Sequence, residues 1–128
     1  MILITEFMDE LAIHSLKEKY KVNYNFSLVK DQNSLIKEIK TIKALIVRNR
    51  TLVTRELIDN APNLTCIGRL GVGLDNIDLN ACKDKNITVY PAIGANSNSV
   101  AEYVICTSMI LLRKAFFKKN EMIYGSWP

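Results

Sequence analysis

The sequence predicts an α/β fold built on an open parallel sheet, and three observations carry that prediction. Short apolar runs recur with midpoints roughly 20 residues apart, the spacing that strand–helix–strand units produce. The stretches between them read as helices. Several of the runs, such as Ile2-Leu-Ile4 and Leu45-Ile-Val47, are continuous rather than alternating, as strands covered on both faces should be.

The elements follow in order. Ile2–Ile4 opens the sheet, and Asp9 stands at an N-cap position before Leu11, Leu16 and Tyr20. The second run, Val22 to Val29, alternates through Val22, Tyr24, Phe26 and Leu28, which predicts an edge strand or one with a wet face. Ser34 is placed to cap a helix bearing Leu35, Ile39 and Ile42, and Ala44–Val47 is the third strand. Thr54 caps Leu57, Ile58 and Ala61, with Pro62 closing that helix; Leu64–Ile67 is the fourth strand. Asp78 caps Leu79 and Cys82, Asn86 suits a left-handed C-cap, and Ile87–Tyr90 is the fifth strand. Five strands and four short helices before residue 92 make a flavodoxin-like sheet.

After Ala92 the rhythm breaks. Ser99-x-x-Glu102 reads as a capping box, with a long helix expected to about residue 122. Its middle, Val104–Leu112, is apolar on every side, so it reads as a buried helix that needs partners all round. Gly125-Ser-Trp-Pro128 carries a turn or loop signature.

Composition narrows the function. With 128 residues, 48% hydrophobic and 23% charged, the chain is globular and large enough to bury a core. The net charge of +4 is spread over solvated helix faces, and no aromatic residues interleave with bases, so nucleic acid is not an expected partner. The longest apolar run, Tyr103 to Leu112, falls well short of the ~20 residues that cross a bilayer, so no membrane is expected. Cys66, Cys82 and Cys106 form no CxxC pair and cannot all pair with one another; a reduced cytoplasm is the simpler reading. Met1–Glu6 turns acidic before a secretory core could form.

Three segments carry chemistry. Gly68-Arg-Leu-Gly-Val-Gly-Leu-Asp-Asn-Ile-Asp78 places two glycines directly after a strand, where a tight turn can offer backbone N–H groups to a carboxylate. Gly71-x-Gly73 begins like a dinucleotide fingerprint, but the third glycine position holds Asn76, so it is not a pyrophosphate loop. Val47-Arg-Asn-Arg-Thr51 ends the third strand, and in open α/β sheets ligands gather beyond the carboxyl ends of strands. Arg48 and Arg50 could meet an anion there, with Arg48 the better candidate and Arg50 readable as a surface arginine. Gly94 to Glu102 feeds a helix N-terminus, where Ser99 and Glu102 read as caps rather than ligands. His14, the only histidine, has no metal-ligand companion and reads as structural; Cys82 and Cys106 read as core.

Taken together, Ala44-Leu-Ile-Val-Arg-Asn-Arg-Thr51, Gly68–Asp78, and Asn96-Ser-Asn-Ser-Val-Ala-Glu-Tyr103 with Leu111-Leu-Arg113 resemble the D-isomer-specific 2-hydroxyacid dehydrogenases, near the D-3-phosphoglycerate dehydrogenase branch. The Gly94–Tyr103 wording looks like members acting on malate- or sulfolactate-like acids. Residues 1–43 match only in rhythm. The resemblance implies residues 1–95 as the N-terminal segment of a substrate (catalytic) domain. It implies residues 96–128 as a crossover helix and the start of a link to an NAD-binding Rossmann domain. It implies oxidation of a 2-hydroxy acid to a 2-keto acid with NAD, in a protein that could be a homodimer. By motif position, Arg48 would contact the substrate, and the amides of Val72 and Gly73 would hold its carboxylate. Val72 and Val100 would lie near the cofactor. The family's cofactor fingerprint and its catalytic arginine, glutamate and histidine have no counterpart in these residues, and His14 cannot substitute. The chain alone is therefore expected to be incomplete and inactive. Two competing readings are a stand-alone module binding a small carboxylate through Arg48 and the glycine turn, and an interaction protein whose apolar helix pairs with its own copy.

Overall fold

The computed structural model describes residues 1–114 and 116–126. Five parallel strands form one sheet: β1 (Ile2–Ile4), β2 (Val22–Tyr24), β3 (Ala44–Val47), β4 (Cys66–Arg69) and β5 (Thr88–Pro91), in the order β2-β1-β3-β4-β5. The helices between them are α1 (Glu10–Lys19), α2 (Gln32–Ile39), α3 (Arg55–Asp59) and α4 (Leu79–Asp84). This is the predicted flavodoxin-like order. The chain winds outward from β1 to β2 and then returns to lay β3 on the other side of β1, so the direction of winding reverses between β1 and β3.

Local chemistry explains the element starts. The Asp9 carboxylate accepts from the N–H groups of Leu11 and Ala12 to cap α1, Thr54 accepts from Leu57 to cap α3, and Asp78 accepts from Ala81 to cap α4. Asn86 adopts φ 57°, the left-handed conformation that ends α4. Two expectations need correction here. The cap of α2 is Asp31, which accepts from both the N–H and the hydroxyl of Ser34, so Ser34 lies inside the helix it was expected to start. The second apolar run does not stay extended to Val29. It leaves the sheet after Tyr24 because Asn25 caps a 3-10 turn, Phe26–Lys30, whose Leu28 drops into the core.

The sheet's two faces are covered unequally. Leu3, Leu45, Val47 and Ile67 share one apolar cluster with Leu35 and Ile39 of α2, Leu57 and Ile58 of α3, and Ala81 and Cys82 of α4. Ile4 points to the other face and, like Ile13 of α1, is buried outside that cluster. Burial pushes the Cys82 thiol up, and Asp78 adds to the shift, so this cysteine is an inert core residue, as expected.

Residues Met1–Ala95 form one compact unit and Asn96–Pro128 a second. In the second, α5 (Ser97–Leu112) starts two residues before the expected capping box. Asn96 precedes it without a side-chain cap, so Ser99 and Glu102 fall within the helix. Nor does the helix run to residue 122. Arg113 caps it, Lys114 takes a left-handed φ of 53°, and a separate α6 spans Lys119–Ile123. No residue of α5 is buried, so the apolar stretch Val104–Leu112, whose composition asks for partners, lies mostly exposed, and Cys106 is exposed rather than core. Of the terminal turn signature, Gly125 has φ 81°, while Trp127 and Pro128 lie outside the described residues. Among the described residues, no helix is long and apolar enough to cross a membrane.

Candidate active site

Parallel pairing sends every strand's carboxyl end to the same edge of the sheet. The loops after β1, β3 and β4 are therefore neighbours. The β3–β4 pairing continues past the strands, since the Leu70 N–H donates to the Val47 carbonyl at 2.8 Å. That bond sets Arg48 beside the residues that lead into Gly71. Arg48 lines an open cleft of about 370 Å³ together with Phe7, Met8, Asp9, Ala12 and Leu70. The cleft lies between the loop after β1 and the loop after β3, at the point where the winding reverses and where open α/β sheets bind their ligands.

The turn after β4 is tight. The Gly71 N–H donates to the Arg69 carbonyl at 2.8 Å, and the Gly71 carbonyl accepts from Ala92 at 3.0 Å. Gly71 has φ 157°, and a Cβ there would meet the Arg69 guanidinium, which is folded across the turn. A Cβ on Gly73 would come within 2.8 Å of an Asp75 oxygen. Among the described residues, no acceptor stands in hydrogen-bonding position to the N–H groups of Val72 and Gly73. Both donors are free. Nor do Arg48, Arg50 and Arg69 have an acidic ion-pair partner among the described residues, and the Arg69 Nε is buried without an acceptor. Cations without acidic partners and amides without acceptors are the chemistry that an anion would require.

Of the sequence-predicted residues, Arg48 follows β3 and Val72 and Gly73 follow β4 at the same edge of the first unit's sheet, while the residue of the β4 loop that lines the Arg48 cleft is Leu70. Val100 lies in the first turns of α5, in the second unit, and is half exposed. Arg50 is exposed in the β3 loop. His14 is exposed on α1 and faces Glu18 at 3.4 Å, in keeping with the structural reading.

Sequence reasoning missed the residue that shapes the site. Glu6, just past β1, is 2% exposed. Its carboxylate accepts from the N–H groups of Arg48 (2.8 Å), Asn49 (3.1 Å), Arg50 (3.0 and 3.1 Å) and Thr51 (2.9 Å). Burial pushes this carboxyl up, but the ring of backbone donors outweighs burial and holds it below its ordinary value. Asn76, noticed only as a missing glycine, donates through its side chain to the Thr51 carbonyl at 2.8 Å. The signal for Glu6 was an acid placed directly after an apolar strand, where no charge is wanted unless it has partners.

Comparison with known proteins places the fold in a family. The chain is 46% identical over 127 residues to an (S)-sulfolactate dehydrogenase of Chromohalobacter salexigens, covering 99% of this chain and 41% of that protein. Its fold is similar to that of a Pyrococcus horikoshii protein (TM-score 0.84, 28% identity, 98% of this chain and 37% of that one). It is also similar to an NAD+-bound 3-phosphoglycerate dehydrogenase of Entamoeba histolytica (TM-score 0.70, 29% identity, 90% and 40%). The chain thus spans less than half the length of each. The family pattern for the D-isomer specific 2-hydroxyacid dehydrogenase catalytic domain matches residues 2–120, and the chain belongs to that family.

Proposed function

We propose that this chain supplies the acid-binding part of an NAD-dependent oxidoreductase that interconverts a D-2-hydroxy acid and its 2-keto acid. The observation that carries the proposal is that the amides of Val72 and Gly73, without acceptors among the described residues, lie in the loop next to that of Arg48, at the same edge of the sheet. Neutral N–H donors hold a carboxylate without titrating themselves, and the Arg48 guanidinium supplies a charge-assisted contact to the same acid. Arg69, folded over the turn, adds a second positive group. Several cations without acidic partners suit an acid with more than one negative group, such as sulfolactate or 3-phosphoglycerate, the acids that the relatives' names carry.

The residues at hand do not fit a nucleotide cradle. α4 begins at Leu79, well beyond Gly73, and the Asn76 side chain is committed to Thr51, so the glycine turn does not open a helix N-terminus onto a pyrophosphate. NAD is assigned to the whole protein and not to the glycine turn of these residues. Residues 1–95 belong to the substrate domain, and residues 96–128 contain the crossover helix, α5, and the start of a link toward a cofactor domain. On this reading the acid–base step belongs to a histidine, tuned by a glutamate and accompanied by an arginine, that no motif of these residues matches, and the chain alone is expected to be inactive.

Titrating the isotope-labelled chain with 3-sulfolactate, 3-phosphoglycerate and sodium chloride, followed by amide NMR, tests the proposal. The acids should shift the Val72 and Gly73 amides, chloride should not, and Arg48→Ala should weaken binding about tenfold. If neither acid moves those amides, the proposal fails.

A further inference from the structure

An anion receptor built from two loops works only if the loops hold their distance, and Arg48 and Gly73 lie on different ones. Besides the backbone bond from Leu70 to Val47, a buried side-chain network that includes Glu6 links these loops. The Glu6 carboxylate gathers the N–H groups of residues 48 to 51 around itself. Beside it, the Thr5 and Thr51 hydroxyls meet at 2.9 Å, and the Thr51 carbonyl accepts from the Asn76 side chain. That side chain also reaches the Arg48 carbonyl at 3.4 Å. The Asn76 backbone carbonyl accepts from Val53 at 2.8 Å, and Val53 pairs with Ile77 in a parallel bridge. The network thus runs from β1 through the Arg48 loop to the loop that carries Gly71 and Gly73.

We propose that Glu6 is the positioning residue of the acid site, its carboxylate acting with Thr51 and Asn76 as an internal ligand that preforms the Arg48 loop against the glycine turn. Two features separate this from ordinary burial of a charge. First, among the described residues Glu6 has no cationic side-chain partner; backbone donors alone satisfy it. The Arg48 and Arg50 guanidiniums therefore stay uncommitted although their own N–H groups bind the carboxylate. Second, a run of N–H groups wrapped in this way is itself an anion nest. With Glu6 filling it, an incoming acid is directed to the free amides at Val72 and Gly73 and not to the donors of residues 48 to 51. A receptor fixed before the ligand arrives avoids the ordering cost that a loose loop would impose on binding.

This inference rests on the acid-binding reading above, and the test separates the two. Amide hydrogen exchange and the same 3-sulfolactate titration are run on the whole chain, on Glu6→Gln and on Glu6→Asp. In the wild type the amides of Arg48, Arg50 and Thr51 should be protected before any acid is added. Glu6→Gln should speed their exchange and weaken acid binding about tenfold while the β3 and β4 amides stay protected. Glu6→Asp, which keeps the charge on a shorter arm, should recover part of both. A purely structural Glu6 would change stability but leave the affinity of the folded chain intact, and that result overturns the proposal. Open-loop exchange of residues 48 to 51 in the wild type overturns it too, even if Glu6→Gln fails to fold. If the wild type binds no acid yet residues 48 to 51 are protected only with Glu6 present, the acid-binding reading falls and the loop-fixing role of Glu6 stands.

Discussion

The loop after β3 is held in shape by a side chain from another strand, whereas the turn after β4 is shaped by its own sequence. Residues 48 to 51 contain no glycine and no proline; their curvature is imposed by the Glu6 carboxylate, 42 or more positions away in the chain. Residues 70 to 73 have no such side-chain partner; their bonds to Val47 and Ala92 are backbone bonds. Gly71 permits the backbone conformation, the Leu70 and Gly71 N–H groups bond to neighbouring carbonyls, and the amides of Val72 and Gly73 are left over. One loop spends its N–H groups on an internal anion; in the other, the N–H groups of Val72 and Gly73 have no acceptor among the described residues. The contrast teaches that backbone donors filled by an internal carboxylate serve architecture, whereas unfilled ones in the next loop are what the proposed acid site would use.

Breaking the internal anion should have the largest effect. Glu6→Gln removes the charge and turns a donor toward four backbone N–H groups, so urea unfolding should show a loss of about 3 kcal/mol. A loss below about 1 kcal/mol would mean that the β3 loop holds itself. The reciprocal change, Gly71→Ala, strains the turn and displaces Arg69; about 2 kcal/mol is expected in the same experiment, together with weaker acid binding. Arg48→Ala removes only the outward-facing group. It should cost about 1.4 kcal/mol of acid affinity, the tenfold of the titration above, while stability moves by no more than about 0.5 kcal/mol.

The pH dependence sharpens the contrast further. A carboxyl whose folded value is depressed contributes stability above its unfolded value, near 4.5 for Glu6, and that contribution disappears as pH falls through the folded value. Stability should therefore decline on acidification below about pH 4.5, and Glu6→Gln should flatten that limb. Asp31, held low mainly by the Ser34 hydroxyl, leaves a residual slope of the same sign. The smallest effect belongs to His14→Ala, far from both loops on an exposed helix face. A stability change within about 0.5 kcal/mol is expected, and a larger one would mean that the His14–Glu18 contact does more than decorate the surface.

Much of the fold was legible because its signals are local. A cap is read within four residues, so Asp9, Thr54 and Asp78 were found by type and place; Asp31 was missed only because Ser34 answers to the same rule. Asn86 was found as a left-handed C-cap for the same reason. The alternation of Val22, Tyr24, Phe26 and Leu28 correctly marked β2 as an edge strand. It could not reveal the 3-10 turn, which hangs on Asn25 bonding to Ser27. The apolar middle of α5 shows the opposite limit. Composition states what a helix would bury but not what covers it, and here Ile105, Leu111 and Leu112 stay more than half exposed.

By itself the sequence determined the strand rhythm, the parallel sheet that follows from it, the glycine turn after β4 and the arginine at the end of β3. Each of these depends on residues within a turn or two of one another. Only the tertiary structure decided that Arg48 and the free amides share one edge, that Glu6 fills the donors of residues 48 to 51, and that Asn76 ties the two loops together. Those bonds join residues 25 to 46 positions apart, and no local pattern encodes a contact whose partner is chosen by the register of a sheet.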